Sequence, residues 1–524
     1  MNRQIARLGM GLLIGYLVLF VQLNRLQFFD AEEYTTHPEN SRPLIAEFGA
    51  PRGDIRSLEG DVIATSVDIE NGPFARQRTY PLGSLFAEVS GAFSFNSGPT
   101  GLEAEWDAEL RGDRNVLTDG LRELLGGEST TADVELTLST SLQEAARDAL
   151  GERPGSVVVL DINTGGALAM WSWPTFDPNP LSDIDTSVAR EARQQVLAAE
   201  GNPLLPRTFR ELYFPGSTFK VVTGSAALEA DRATLDDPIF QAVTSYIPPL
   251  TTNPLANFAD GSCGGPLRDL IRRSCNAGMA QLAVELIGPK PLVETAEGFG
   301  FNATPPFDVP GAVASVMPTD FGARIGSVDV EPALLDQFDV PPKPIDLTDN
   351  APALAQAAIG QFDVKATPLQ MALVAAAIAN DGDVPRPHVV RTVIDSTGSI
   401  VHRADEDSWR QAVSPGTAAE MREAMIGVVD SGTAQRVAVE GLLIGAKTGT
   451  AQLGKDIEST HAWVIAFAED PFGGDRVAVA VLVEADPAIG EQTGGRVAGP
   501  VAQQVISAWN DVRTDLGAIA TPRP

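Results

Sequence analysis

Cysteine, histidine and lysine are all scarce in this 524-residue chain, and each shortage narrows what the chain can do. Two cysteines, Cys263 and Cys275, cannot build a disulfide-rich framework, and with no second Cys or His pair nearby their spacing does not suggest zinc. Four histidines leave little room for a Ser-His-Asp triad. His37 lies in a presumed N-terminal module and His402 in a charged stretch, so only His388 and His461 remain as bases, and no G-x-S-x-G elbow accompanies them. Basic side chains number 38 against 69 acidic ones, a formal net charge of -31 that argues against nucleic acid as a partner. Only six of those 38 are lysines. Lys220 and Lys447 therefore stand out, because burial can tune the pKa of an ammonium as it cannot tune that of an arginine. Aromatics are few at 6%, yet 44% apolar composition excludes general disorder and supports two folded parts. There is no internal repeat, and the pattern calls for no metal and no cofactor.

Only one long apolar run is present, from Leu8 to Val21, continuing less purely through Leu23, Leu26, Phe28 and Phe29. Arg3 and Arg7 precede it, and Asp30, Glu32 and Glu33 follow. That asymmetry places the N-terminus in the cytoplasm and the rest outside the membrane. A cleaved signal peptide and a buried core helix are the alternatives, but no small-x-small site lies between Gln22 and Asp30. The expectation is a single-pass anchor over 1–30. Outside the cell a Cys263–Cys275 disulfide is permitted and would contribute about 3 kcal/mol; two unpaired thiols are the other reading.

After the anchor, a stretch rich in Pro, Gly and charge reads as a β-rich, elongated module over 31–130, with a hairpin whose turn is at Gly60. Gly126 to Thr131 reads as a linker. Beyond it, the pattern gives an amphipathic helix from about Ser141 to Leu150, then strands Ser156 to Leu160 and Leu168 to Trp171. A helix begins near Ser217, and a second, Leu267 to Leu282, is expected to carry Ser274 and Asn276 near its middle. Thr367 to Ala379 reads as a buried helix with Pro368 in its first turn. Leu442 to Ala446, Ala462 to Ala468 and Val477 to Val483 read as strands, the last two paired antiparallel. With no repeating βα units, the class is α+β, over 131–513, with a tail at 514–524.

Three strings fall in order: Ser217-Thr218-Phe219-Lys220, Ser274-Cys275-Asn276 and Lys447-Thr448-Gly449. Each alone is commonplace, a surface helix pair, a helix cap and a strand-end turn respectively; together they point to serine acyl transfer. Residues three apart share a helix face, so Lys220 can bring its amine to Ser217, supplying nucleophile and base. A hydroxyl and an amide at Ser274 and Asn276 suit proton relay and peptide binding. Lys447 and Thr448, ending a strand, suit a carboxylate, and Gly449 permits close backbone approach.

Together with Pro51-Arg52-Gly53-Asp54-Ile55, Gly101-Leu102-Glu103, Asp177-Pro178-Asn179, Thr367-Pro368-Leu369-Gln370-Met371 and Thr450-Ala451-Gln452, these strings resemble the penicillin-binding proteins, in particular the class B, PbpA-type members of actinobacteria. The resemblance implies a membrane anchor, a pedestal, and a transpeptidase domain with a five-stranded antiparallel sheet flanked by helices plus an all-helical subdomain. It implies a D,D-transpeptidase that cross-links peptidoglycan stem peptides through a Ser217 acyl-enzyme with release of D-alanine, and that β-lactams acylate. Lys220 would be the base, Ser274 and Asn276 the relay and positioning groups, and Lys447, Thr448, Gly449 and Thr450 the substrate-binding strand. The backbone N–H groups of Ser217 and Thr450 would form the oxyanion hole. Expected partners are stem peptides or their lipid-linked precursor, and cell-wall synthesis proteins such as a polytopic glycosyltransferase; a D,D-carboxypeptidase or a division or elongation scaffold is the alternative. Two departures accompany it: Phe362 follows Gly360-Gln361 where many relatives have glycine, and Cys275 fills the variable place of the second motif. The E-x-x-L-N string of class A β-lactamases is absent, which predicts slow release of a penicilloyl group.

Overall fold

The computed structural model describes residues 2–30, 45, 48–70, 74–112, 131–338, 344–452, 459–488 and 490–520. His37 and residues 126–130 of the expected linker lie outside them. The N-terminal run forms the helix Asn2–Asn24 and a wider turn, Arg25–Phe29. Its large apolar side chains are exposed from Ile5 to Phe29, and Arg3–Phe29 has the length and hydropathy to cross a membrane.

Five antiparallel strands form the central sheet, in the order Leu443–Gln452, Thr460–Glu469, Arg476–Val483, Gly155–Asp161 and Ala167–Trp173. The inner strands are runs of Val, Ala, Ile and Leu without alternation, because both faces are covered. Pro368–Ala379, buried at every residue, packs on one face; Thr140–Leu150 and Gly494–Ala520 pack on the other and on each other. Thr367 caps the first of these helices, its hydroxyl accepting from Gln370 N at 3.1 Å, with Pro368 at the position whose N–H needs no partner. The last helix runs to Ala520, so most of the expected tail is helical. A helical subdomain, including Lys220–Glu229, Leu267–Arg272, Asn276–Gln281, Pro289–Gly298 and Pro415–Ser431, flanks the edge strand Leu443–Gln452.

A second sheet ties the N-terminal module to the C-terminal part. Its six strands run Ile400–Arg403, Val390–Asp395, Ala132–Leu136, Ile55–Arg56, Val62–Asp68 and Arg76–Thr79. Ala132–Leu136 pairs with Ile55–Arg56 on one side and Val390–Asp395 on the other, so the module is joined by a backbone ladder. Gly60 makes the hairpin turn at φ +92°. Beside this sheet, Glu103 is fully buried and accepts from Arg52 and Arg78, each at 2.6 Å, while Asp107 takes another edge of Arg52 at 2.6 Å.

Two local expectations are corrected. The helix expected over Leu267 to Leu282 is broken at Ser274. Cys275 N donates to Leu270 O at 2.9 Å and Ser274 N to Ile271 O at 3.2 Å, closing Leu267–Arg272 with the six-residue turn in which glycine usually takes the left-handed position. Ser274 takes it here, at φ +60°. The strand expected to end at Ala446 continues to Gln452, so Lys447-Thr448-Gly449 lies within it.

Candidate active site

Ser217 sits in the 3-10 turn Gly216–Phe219, and Lys220 opens the α-helix that follows. Gly216 has φ +54° and packs against the third motif: a Cβ on it would lie 2.8 Å from Thr450 O, and one on Gly449 2.9 Å from Pro215 O. Glycine is thus required on both sides of the contact. Gly216 N donates to Gly360 O at 3.0 Å and Trp463 Nε1 to Phe214 O at 3.1 Å, holding the turn from behind. The Ser217 hydroxyl makes no hydrogen bond among the described residues.

The three strings converge. Lys220 Nζ donates to Asn276 Oδ1 at 2.7 Å, to Ser274 O at 2.8 Å and, longer, to Ser274 Oγ at 3.3 Å. Lys447 Nζ donates to Ser274 Oγ at 2.9 Å and to Thr448 O at 2.9 Å. Both lysines are fully buried, and neither has a carboxylate partner among the described residues. Burial first, then the neighbouring Lys447 cation, push the Lys220 amine well below the ordinary lysine value. Burial brings Lys447 down to about 7. The left-handed turn at Ser274 aims both its carbonyl and its hydroxyl at the lysines, which an unbroken helix would not do.

Cys275 and Cys263 are joined as a disulfide with Cα atoms 5.6 Å apart, tying this turn to the two-stranded antiparallel sheet of Phe240–Val243 and Cys263–Gly265. Leu443–Gln452 is the edge of its sheet, which leaves one side of its backbone open to an extended peptide. Ser217 N is in the first turn of its 3-10 segment, where amides lack an internal acceptor. Neither candidate histidine serves Ser217. His461 Nδ1 accepts from Ala485 N at 3.0 Å, and burial, opposed by Glu484, lowers its pKa; His388 Nδ1 faces Arg386 O at 3.2 Å.

Sequence reasoning missed Thr433, whose hydroxyl lies 2.6 Å from that of Thr448. It also missed the group behind the turn Gly216–Phe219, where the Tyr213 hydroxyl donates to Glu484 at 2.7 Å and Arg207 bonds the same oxygen at 3.0 Å. Thr433 follows a helix in a Ser-Gly-Thr turn, a pattern too common to single out. Phe362 has a left-handed φ of +61° and is 36% exposed.

Residues 155–507 match the penicillin binding protein transpeptidase domain, and residues 52–134 the penicillin binding protein A dimerisation domain. The chain belongs to the penicillin-binding protein transpeptidase family. Among relatives of this transpeptidase, the peptidoglycan D,D-transpeptidase PbpA of Mycolicibacterium smegmatis is 35% identical, across 97% of this chain and 99% of the relative. PbpA of Mycobacterium tuberculosis is 34% identical over the same shares. The ceftriaxone acyl-enzyme complex of penicillin-binding protein A from M. tuberculosis superposes with a TM-score of 0.76 at 31% identity, covering 88% of this chain and 99% of that one.

Proposed function

We propose that this penicillin-binding protein is a peptidoglycan D,D-transpeptidase working through an acyl-enzyme on Ser217. The observation that carries the residue assignment is the meeting of two buried lysines, unpaired with any carboxylate among the described residues, on Ser274 Oγ beside the turn bearing Ser217. A neutral amine has two N–H groups and one lone pair. The two shortest contacts of Lys220 use both hydrogens and leave the lone pair to take the Ser217 proton. Ser217 Oγ then attacks the penultimate D-alanine carbonyl, and the N–H groups of Ser217 and Thr450 receive the oxyanion. Once Lys220 carries the Ser217 proton, its third N–H joins that of Lys447 on Ser274 Oγ, so Ser274 passes its own proton to the leaving D-alanine nitrogen as the C–N bond breaks and takes one back from Lys220, which is neutral again. An amine of a neighbouring stem resolves the ester and forms the cross-link. Lys447 and the Thr448 hydroxyl hold the donor carboxylate, and β-lactams enter as donor mimics.

Residues 31–130 serve as the pedestal and 131–513 as the catalytic domain. The helix Asn2–Asn24 anchors the chain with its N-terminus inside and the site outside, where cross-linking occurs. A protein that polymerises glycan from lipid-linked precursor is the partner this reaction suits, since it would supply the stems that are joined. Fluorescent penicillin should label the protein stoichiometrically and Ser217→Ala should not label. Retained labelling in that variant would remove Ser217 as nucleophile.

A further inference from the structure

Asn276, on whose Oδ1 the Lys220 amine rests, begins the helix Asn276–Gln281. The residue before it, Cys275, has an extended backbone but no side-chain cap for that helix. The first amides of a helix lack internal acceptors and need one from elsewhere. Here both are met by one side chain from another segment: Asn257 Oδ1 accepts from Asn276 N and Ala277 N, each at 2.9 Å. Asn257 Nδ2 donates to Val243 O at 2.8 Å and Gly261 O at 3.0 Å, so all four hydrogen-bonding places of a 7% exposed amide are filled. Its neighbour finishes the task. Ala256 O accepts from Asn276 Nδ2 at 3.0 Å, which fixes the amide flip so that Oδ1, and not Nδ2, faces Lys220.

We propose that Asn257 is a positioning residue of the acyl-transfer site, capping the Asn276 helix from a separate segment so that Asn276 presents its carbonyl oxygen to Lys220. This rests on the reading of Ser217 and Lys220 given above. Without the cap, two amides at the helix start lose their acceptor and the Asn276 backbone shifts. A displacement of about 1 Å at a reacting group costs on the order of 100-fold in rate. Nothing in the sequence marks Asn257, which lies 19 residues from Asn276 in a loop of ordinary composition.

The test compares Asn257→Ala and Asn257→Asp in the full-length protein, by the second-order rate of acylation with penicillin and by hydrogen exchange at the Asn276 and Ala277 amides. Asn257→Ala should acylate about 10- to 100-fold more slowly and expose both amides. Asn257→Asp keeps the acceptor oxygen and loses the donors to Val243 and Gly261, so it should restore the rate to within about 5-fold and the protection of both amides, although its melting temperature falls. A general packing role would move rate and melting temperature together in both variants, which overturns the proposal. Equal exchange at the two amides in wild type and Asn257→Ala overturns it without reference to activity. Labelling that survives Ser217→Ala removes instead the reading on which it rests.

Discussion

Glu103 in the N-terminal module and Lys220 in the catalytic domain are both ionisable groups fully withdrawn from solvent, but their surroundings are opposite. Burial disfavours the Glu103 charge, yet the Arg78 and Arg52 guanidiniums at 2.6 Å outweigh it and hold the carboxyl below its usual range. Arg52 in turn lies above its ordinary value, because Glu103 and Asp107 outweigh its own burial. Around Lys220 there are carbonyl and hydroxyl oxygens and a second cation, and its pKa falls. A buried charge with partners keeps its charge and fixes geometry; one without them, and with a second cation beside it as at Lys220, is driven toward its neutral form. The module's cluster is thus a structural joint, and under the proposed mechanism the Lys220 cluster is a proton-handling device.

That contrast can be broken at either end. Lys220→Met removes the base while filling its volume, and the acylation rate should drop by about 10²–10⁴-fold with a melting temperature near or above that of wild type. Glu103→Ala leaves two buried guanidiniums without their shared carboxylate, and calorimetry should find a loss of about 3–5 kcal/mol in stability, with the acylation rate of the folded protein unchanged. If instead Lys220→Met unfolds the protein and Glu103→Ala only slows acylation, the roles are reversed. A smaller effect sharpens the catalytic side. Lys447 has a folded pKa of about 7 against its ordinary 10.5, so the unfolded chain binds more protons between those values and stability should rise with pH across that window. Denaturant titrations should show a shallower slope in Lys447→Met than in wild type, the remainder coming from Lys220, whose pKa burial and the Lys447 charge also lower. Smaller still is the strain at Phe362. Phe362→Gly relieves a left-handed backbone and should stabilise the protein by about 1 kcal/mol; a loss of stability would mean that the ring makes packing contacts worth more than the strain.

The sheet and the buried helix were legible because their signals are dense. Val157 to Leu160 and Val477 to Val483 can pack only as interior strands, and Thr367-Pro368 marks a helix start on its own. The three motifs named the groups that meet around Ser274, yet the sequence hid how they meet. A helix stop is normally announced by glycine, and at 274 the chain uses serine in the same left-handed position, so the break was invisible. Lys447 looked like a strand end because Thr448-Gly449 interrupts the apolar pattern, whereas those residues continue the strand at the sheet's edge. Arg52 and Glu103 were visible as landmarks, but only the ion pair shows that their role is architectural. Thr433 and Asn257 act through hydrogen bonds across 15 and 19 residues, and no local pattern encodes those.

The central claim is that Lys220 acts neutral and Lys447 charged, and the pH dependence of penicillin acylation tests it most directly. Protonating Lys220 removes the base, giving a limb that rises with pH; deprotonating Lys447 weakens its hold on the ligand carboxylate, giving a limb that falls above about 7. The account predicts a bell-shaped second-order rate in wild type and, in Lys447→Arg, a rate that no longer falls on the alkaline side, because a guanidinium stays charged. A rate independent of pH through neutrality, or an alkaline limb unchanged in Lys447→Arg, would contradict it.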